Sequence, residues 1–186
     1  MKVLVLQSGD TDLINQVANL LVEGFKDTGS TSWPNLKAGL SEVKESLQDD
    51  RVSLVAVNND WKVIGWVSGI RKYDGHTWEL HGLVFEPAYQ RHGNGRVLVK
   101  ALEERVGELG STTIYLGTDD ENYRTTISGT DLYPNVLENL LNIKNPGNHP
   151  YEFYQRVGFT IVGVIPDANG LGKPDILMAK RVKRLQ

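Results

Sequence analysis

Gln90-Arg91-His92-Gly93-Asn94-Gly95-Arg96 joins two unlike kinds of sequence. Strand-forming residues precede it and end near Phe85. From Gly95 to Leu109, the residues Leu98, Ala101, Leu102, Val106 and Leu109 recur at three- and four-residue steps and stop at Gly110, the pattern of an amphipathic helix with a glycine just past its end. Glycines in a strand-to-helix turn let the backbone approach a ligand and aim several N–H groups at one point. The helix N-terminus adds partial positive charge, and Arg91 and Arg96 add charge-assisted donors, so the turn suits a pyrophosphate. It is not a Walker loop, because no Gly-Lys-Ser/Thr follows. Nor is it a dinucleotide fingerprint, because the position three past Gly95 is Leu98. Taken alone, the pattern also fits a solvated glycine turn that only starts a helix.

Upstream, Val52 to Val57, Lys62 to Arg71 and Thr77 to Phe85 are β-rich runs joined by Asn58-Asn59-Asp60 and Tyr73-Asp74-Gly75, which predicts a meander of antiparallel strands. Before them come a short strand at Val3 to Leu6 and a helix opened by Asp10 or Thr11. That helix carries Leu13, Ile14, Val17, Leu20, Leu21 and Phe25 on one side, and a second one is expected from Leu36 to Leu47. Downstream, Thr113 to Leu116 returns as a strand. Tyr133, Val136, Leu137, Leu140 and Leu141 mark an amphipathic helix with Pro134 near its start, and a short helix begins at Pro150. Strands from Phe159 to Ile165 and Asp175 to Lys180 close the chain. The order is α/β (α+β) with a mixed sheet, and with no repeat and no linker the 186 residues are expected to form a single domain, residues 1–186.

Composition removes several function classes. The absence of cysteine excludes disulfides, thiolate zinc sites and a cysteine nucleophile, and it fits a reducing cytoplasm. Twenty basic against 23 acidic residues leave a net charge of −3, not the basic footprint of a nucleic-acid binder, so no nucleic-acid partner is expected. The apolar run of Met1 to Leu6 ends at Gln7, and no stretch approaches the roughly 18 apolar residues of a membrane span, so a soluble, cytoplasmic protein with no membrane partner is expected. His76, His81, His92 and His149 lack paired ligand spacing, so no metal is expected.

The Gln-x-x-Gly-x-Gly pattern after a three-strand meander and ahead of a helix resembles the coenzyme A pyrophosphate loop of the GNAT superfamily of N-acetyltransferases. Longer strings are more specific. Trp78-Glu79-Leu80-His81, Thr113-Ile114-Tyr115-Leu116-Gly117-Thr118-Asp119-Asp120, Thr130-Asp131-Leu132-Tyr133, His149-Pro150-Tyr151-Glu152-Phe153-Tyr154 and Lys173-Pro174-Asp175-Ile176 resemble the aminoglycoside 6′-N-acetyltransferase family of enterococcal type. The likeness is dense from Thr77 to Lys180. Gly82 departs from the family pattern, which has proline after the histidine.

The resemblance implies the GNAT fold, with a central, mostly antiparallel sheet flanked by helices. It implies acetyl-coenzyme A as co-substrate, the 6′-amine of an aminoglycoside as acceptor and a homodimer. Gln90, Arg91, His92, Gly93, Asn94, Gly95 and Arg96, with Leu83, Val84 and Tyr154, are expected to hold the coenzyme, the Leu83 N–H facing the thioester oxygen beside a strand bulge. Glu79 and His81, two apart, share one face of their strand and form a pair that can take the amine's proton, Glu79 being favoured because it also attracts a cation. A purely structural polar pair has the same spacing. Similarity to the family makes Tyr154 the general acid at the departing sulfur; the plain alternative is an aromatic packed beside Phe153 and Val157. Asp119, Asp120, Glu121 and Asp131 form an acidic loop past a strand end, suited to a polyamine sugar and equally to solvation. The fold and loop also serve protein, peptide or polyamine acetyltransferases, and a non-catalytic acetyl-coenzyme A sensor would keep the loop without the chemistry.

Overall fold

The computed structural model describes residues 1–26 and 32–182. The chain clusters into two compact units, one built mainly from Met1–Ile114 and the other from Tyr115–Lys180.

The first unit contains β1 (Lys2–Val5), α1 (Thr11–Phe25), α2 (Leu36–Glu45), β2 (Arg51–Val57), β3 (Val63–Lys72), β4 (Thr77–Phe85) and α3 (Asn94–Glu108). The four strands pair in sequence order, each antiparallel to the next. Nearly every residue of β2 and β3 is buried, the signature of strands covered on both faces. The apolar stripe of α1 supplies that cover on one side: Ile14, Val17, Ala18 and Leu21 pack with Val55, Trp66 and Val84. On α3, Leu98, Val99, Leu102 and Val106 are buried, and Gly69 of β3 lets Leu102 come close, since a Cβ there would lie 3.1 Å from its Cδ1.

Two devices fix α2. Gly39 packs so tightly that a Cβ would sit 2.7 Å from the Ala18 carbonyl oxygen of α1. At the other end, buried Ser46 Oγ lies 3.0 Å from Ser53 Oγ of β2, which accepts the Trp66 indole N–H at 2.9 Å. A side-chain cap, Asn35 accepting the Ala38 N–H, starts the helix.

The second unit holds most of β5 (Thr113–Asp119), then α4 (Val136–Leu141), α5 (Tyr151–Arg156), β6 (Thr160–Ile165) and nearly all of β7 (Asp175–Arg181), with β7 lying between β5 and β6. The expected mixed α/β order is what the chain adopts. The helix expected around Tyr133 is shorter than its pattern suggests, and its stripe is not an internal face: Leu137 is 71% and Leu141 86% exposed. Among the described residues no helix is long and apolar enough to cross a membrane.

Candidate active site

The centre of the site is a β-bulge. Val67 pairs with Leu83 while Ser68 pairs with His81, so Gly82 is an extra residue on β4. Its φ of +73° is left-handed, and a Cβ would lie 2.7 Å from Cζ3 of the buried Trp66 ring, so the position requires glycine. A proline, locked near about −65°, does not fit this backbone. The Ser68 hydroxyl donates to the His81 carbonyl across the bulge. The extra residue also resets the alternation of side chains, bringing Val84 into the cluster formed with α1.

Glu79 and His81 do share a face, and α2 meets them there. His81 Nδ1 lies 3.7 Å from Glu79 Oε1, and His81 Nε2 lies 3.5 Å from Glu42 Oε1. Glu42 Oε2 accepts the Trp33 indole N–H at 3.1 Å, and Glu79 Oε2 is 3.4 Å from Lys72 Nζ. The Glu42 carboxylate first, then Glu79, raise His81 from its ordinary 6.5 up to about 9 against an opposing effect of burial. In return the contact with His81 holds Glu42 below the usual carboxylate range. At neutral pH His81 is therefore an imidazolium with no lone pair to accept a proton, so of these two side chains only the Glu79 carboxylate has the chemistry to accept one. Glu42 escaped the sequence reading: it sits on a polar helix face, and only the docking of α2 brings it to β4.

The pyrophosphate-type loop follows β4 directly. The Gln90 amide donates to the Phe85 carbonyl at 2.9 Å and that of Asn94 to the Tyr89 carbonyl at 2.8 Å, which ties the loop to the strand end. Gly93, at φ +82°, caps α3 in the left-handed conformation with no side-chain cap bond, and a Cβ there would meet nothing within 4 Å. The Arg96 N–H donates to the Gly93 carbonyl at 3.1 Å, while the amides of Asn94 and Gly95 precede the first helical acceptor and stand beside an exposed loop with Arg91, His92 and the Arg96 side chain around it. This donor set suits a diphosphate.

In the second unit, Tyr154 on α5 is half-buried, edge-on to Phe153 and Phe159 at centroid distances of 5.1 and 5.8 Å. Burial pushes its phenol up to about 12, so it is protonated at neutral pH. The acidic residues differ among themselves. Asp120 is only 1% exposed, with Oδ1 accepting the Arg124 N–H and Oδ2 both the Thr125 N–H and hydroxyl, which places its carboxylate inside the loop as a brace. Asp119 and Asp131 are exposed; Asp119 accepts from Asn169, and Asp131 from the Tyr133 N–H. His149 Nδ1 accepts the Tyr151 N–H, so its Nε2 carries the proton and donates to the Asp119 carbonyl; burial lowers its pKa. Among the described residues there is no cluster of three or more side chains able to hold a metal ion.

The acetyltransferase (GNAT) family model matches residues 14–126, more than half of the chain, and the chain belongs to this family. An aminoglycoside 6′-N-acetyltransferase solved in complex with coenzyme A is 36% identical, with a TM-score of 0.90 over 100% of this chain and 99% of its own. The aminoglycoside 6′-N-acetyltransferase of Enterococcus faecium is 38% identical, with a TM-score of 0.89 over the same shares of the two chains, 100% and 99%. Aminoglycoside 6′-acetyltransferase type Ii is 32% identical, with a TM-score of 0.75 and 100% of both chains covered. A search of curated proteins gave no significant match. At these identities over the full length, the branch of the family is that of the aminoglycoside 6′-N-acetyltransferases, as the strings around Tyr115 and Tyr154 imply.

Proposed function

We propose that this chain transfers the acetyl group of acetyl-coenzyme A to the 6′-amine of an aminoglycoside, by direct attack within a ternary complex. The observation that carries this reading is the bulge at Gly82, which interrupts the β3–β4 ladder next to Leu83 on the same strand that carries Glu79 and leads into the Gly93 loop. Full-length similarity to two aminoglycoside 6′-N-acetyltransferases, one of them with coenzyme A bound, supports the substrate pair.

Bound acetyl-coenzyme A supplies a thioester, an activated acyl group with a thiolate leaving group. Leu83 offers its N–H to the thioester oxygen where the bulge disturbs the ladder, and the backbone of Val84, whose side chain packs against α1, lies beside the pantetheine arm. Gln90, Arg91, His92, Gly93, Asn94, Gly95 and Arg96 take the pyrophosphate. Glu79 draws the cationic sugar and accepts the amine's proton, directly or through water, while His81 holds the carboxylate. Tyr154 donates a hydrogen bond to the departing sulfur. With the phenol near 12 and an ordinary thiol near about 8.5, complete proton transfer runs uphill, so stabilisation by the donated bond is the larger part of its effect. Asp119 and Asp131 attract the polyamine sugar, and Asp120 shapes the loop that presents them.

The whole chain, residues 1–186, acts as one catalytic domain in this proposal. It works in the cytoplasm, consistent with the absence of cysteine. It forms a homodimer, supported by exposed Val162 and Ile165 on β6 and Leu137 and Leu141 on α4. Such an activity confers antibiotic resistance when expressed in a susceptible host.

The test is thiol release from acetyl-coenzyme A with purified protein and kanamycin, a derivative lacking the 6′-amine, spermidine or a basic peptide. Turnover that requires the 6′-amine is expected. Turnover confined to peptide or polyamine would retain the enzyme class and remove the drug assignment, and binding without turnover would favour a sensor.

A further inference from the structure

We propose that Glu42 of α2 is a positioning residue of the acetyl-transfer site: anchored by the Trp33 indole just ahead of that helix, it holds the far nitrogen of the His81 ring so that the near nitrogen faces Glu79. This inference rests on the reading of Glu79 as proton acceptor. Its basis is geometric. Carboxylates face both ring nitrogens, Glu42 Oε1 at 3.5 Å from Nε2 and Glu79 Oε1 at 3.7 Å from Nδ1. Carboxylates accept and do not donate, so satisfying both requires a proton on each nitrogen, and only the imidazolium has two. A neutral ring would turn a lone pair toward one carboxylate and release it.

The arrangement is built rather than incidental. Glu42 Oε2 is occupied by the Trp33 N–H at 3.1 Å, so the carboxylate has little freedom to turn away. The helix that carries it is locked one turn earlier by Gly39 against the Ala18 carbonyl. Lys72 lies against Glu79, and the charge of Arg51 reaches Glu42. His81 stays charged to about 9 in this setting. Glu42, acting with Glu79, therefore widens the pH range over which His81 stays charged beside Glu79.

Glu42→Gln keeps the shape and an acceptor oxygen while removing the charge, and Glu42→Asp restores the charge on a shorter stem. Imidazole NMR of the full chain should show the His81 midpoint moving acidward by roughly one unit or more in Glu42→Gln and partly returning in Glu42→Asp. The ratio of wild-type to Glu42→Gln kcat/KM should be smallest near pH 6 and grow roughly twofold or more by pH 8. An unmoved midpoint would overturn the proposal, and so would a rate ratio independent of pH, since a merely structural Glu42 would lower activity equally throughout. If Glu42→Gln does not fold, Trp33→Phe removes the anchor alone and must shift the midpoint in the same direction by less. A wild type that acetylates no acceptor would sink the reading of function but would leave the titration free to judge the anchor.

Discussion

Gly82→Ala separates the bulge from every other feature of the site. At φ +73° an L side chain is disfavoured by about 1–2 kcal/mol, whatever space surrounds it. The space is also missing: the new Cβ would lie 2.7 Å from Trp66 Cζ3 and 3.3 Å from Cη2. Trp66 is fully buried and its indole donates to Ser53, so the ring can yield only by breaking that bond or disturbing the α1 packing. Overpacking of this kind costs about 1–3 kcal/mol. The two effects together reach about 2–5 kcal/mol, and at about 2–4 °C per kcal/mol for a chain of this size, Tm should fall by roughly 4–20 °C. Because the bulge positions Leu83 and separates it from His81, kcat/KM should fall further than the folded fraction does. Gly107→Ala is the internal control: it lies in α3 with nothing within 4 Å of a new Cβ, so the same substitution should stabilise by a few tenths to about 1 kcal/mol. Circular dichroism melts and acetylation rates on both variants give the answer. A Gly82→Ala protein with unchanged Tm and kcat/KM would refute the reasoning, because neither the left-handed backbone nor the Trp66 contact could then be real.

Three further outcomes are expected. Tyr154→Phe should lower kcat by about tenfold to a hundredfold, the worth of one hydrogen bond to a developing charge, with the coenzyme Kd little changed; an unaltered kcat would remove Tyr154 from the chemistry. Asp120→Ala deletes the acceptor of both the Arg124 and Thr125 N–H groups, so urea denaturation should show a loss of about 3 kcal/mol, and equal stability would contradict its bracing role. Stability should also depend on pH with opposite signs at two histidines. His81 binds its proton more tightly when folded, so its contribution is full below 6.5 and lost as pH rises through about 9; with 38% of the side chain exposed, solvent screening limits this to about 1 kcal/mol. His149 is held neutral by burial, so its contribution is full above 6.5 and declines as pH falls below it. Urea midpoints from pH 5 to pH 10 should trace both limbs in the wild type, and the alkaline limb should vanish in His81→Gln.

What could be read from the chain alone was what repeats locally. Helical spacing from Leu98 to Val106 located α3 to within a residue, with Gly110 past its end at φ +91° as a helix stop requires. The two-residue period of a strand put Glu79 and His81 on one face, and the glycine turn between Phe85 and α3 defined the phosphate-type loop. The same patterns misled where a stripe met no partner, as at Leu137 and Leu141, because periodicity reports amphipathicity and not what covers the apolar face. They grouped Asp120 with Asp119 and Asp131 as sugar-attracting carboxylates, and could not show that Asp120 is buried while the other two face solvent.

The amino-acid sequence thus determined the order of elements, the coenzyme-type loop and the family, all of which depend on neighbours along the chain. The charge on His81, the brace at Asp120 and the reason for Gly82 were decided only in three dimensions. Each depends on distant segments meeting: Glu42 reaches His81 because Gly39 fits against Ala18, and Gly82 is required because Trp66 already fills the space where a side chain would go.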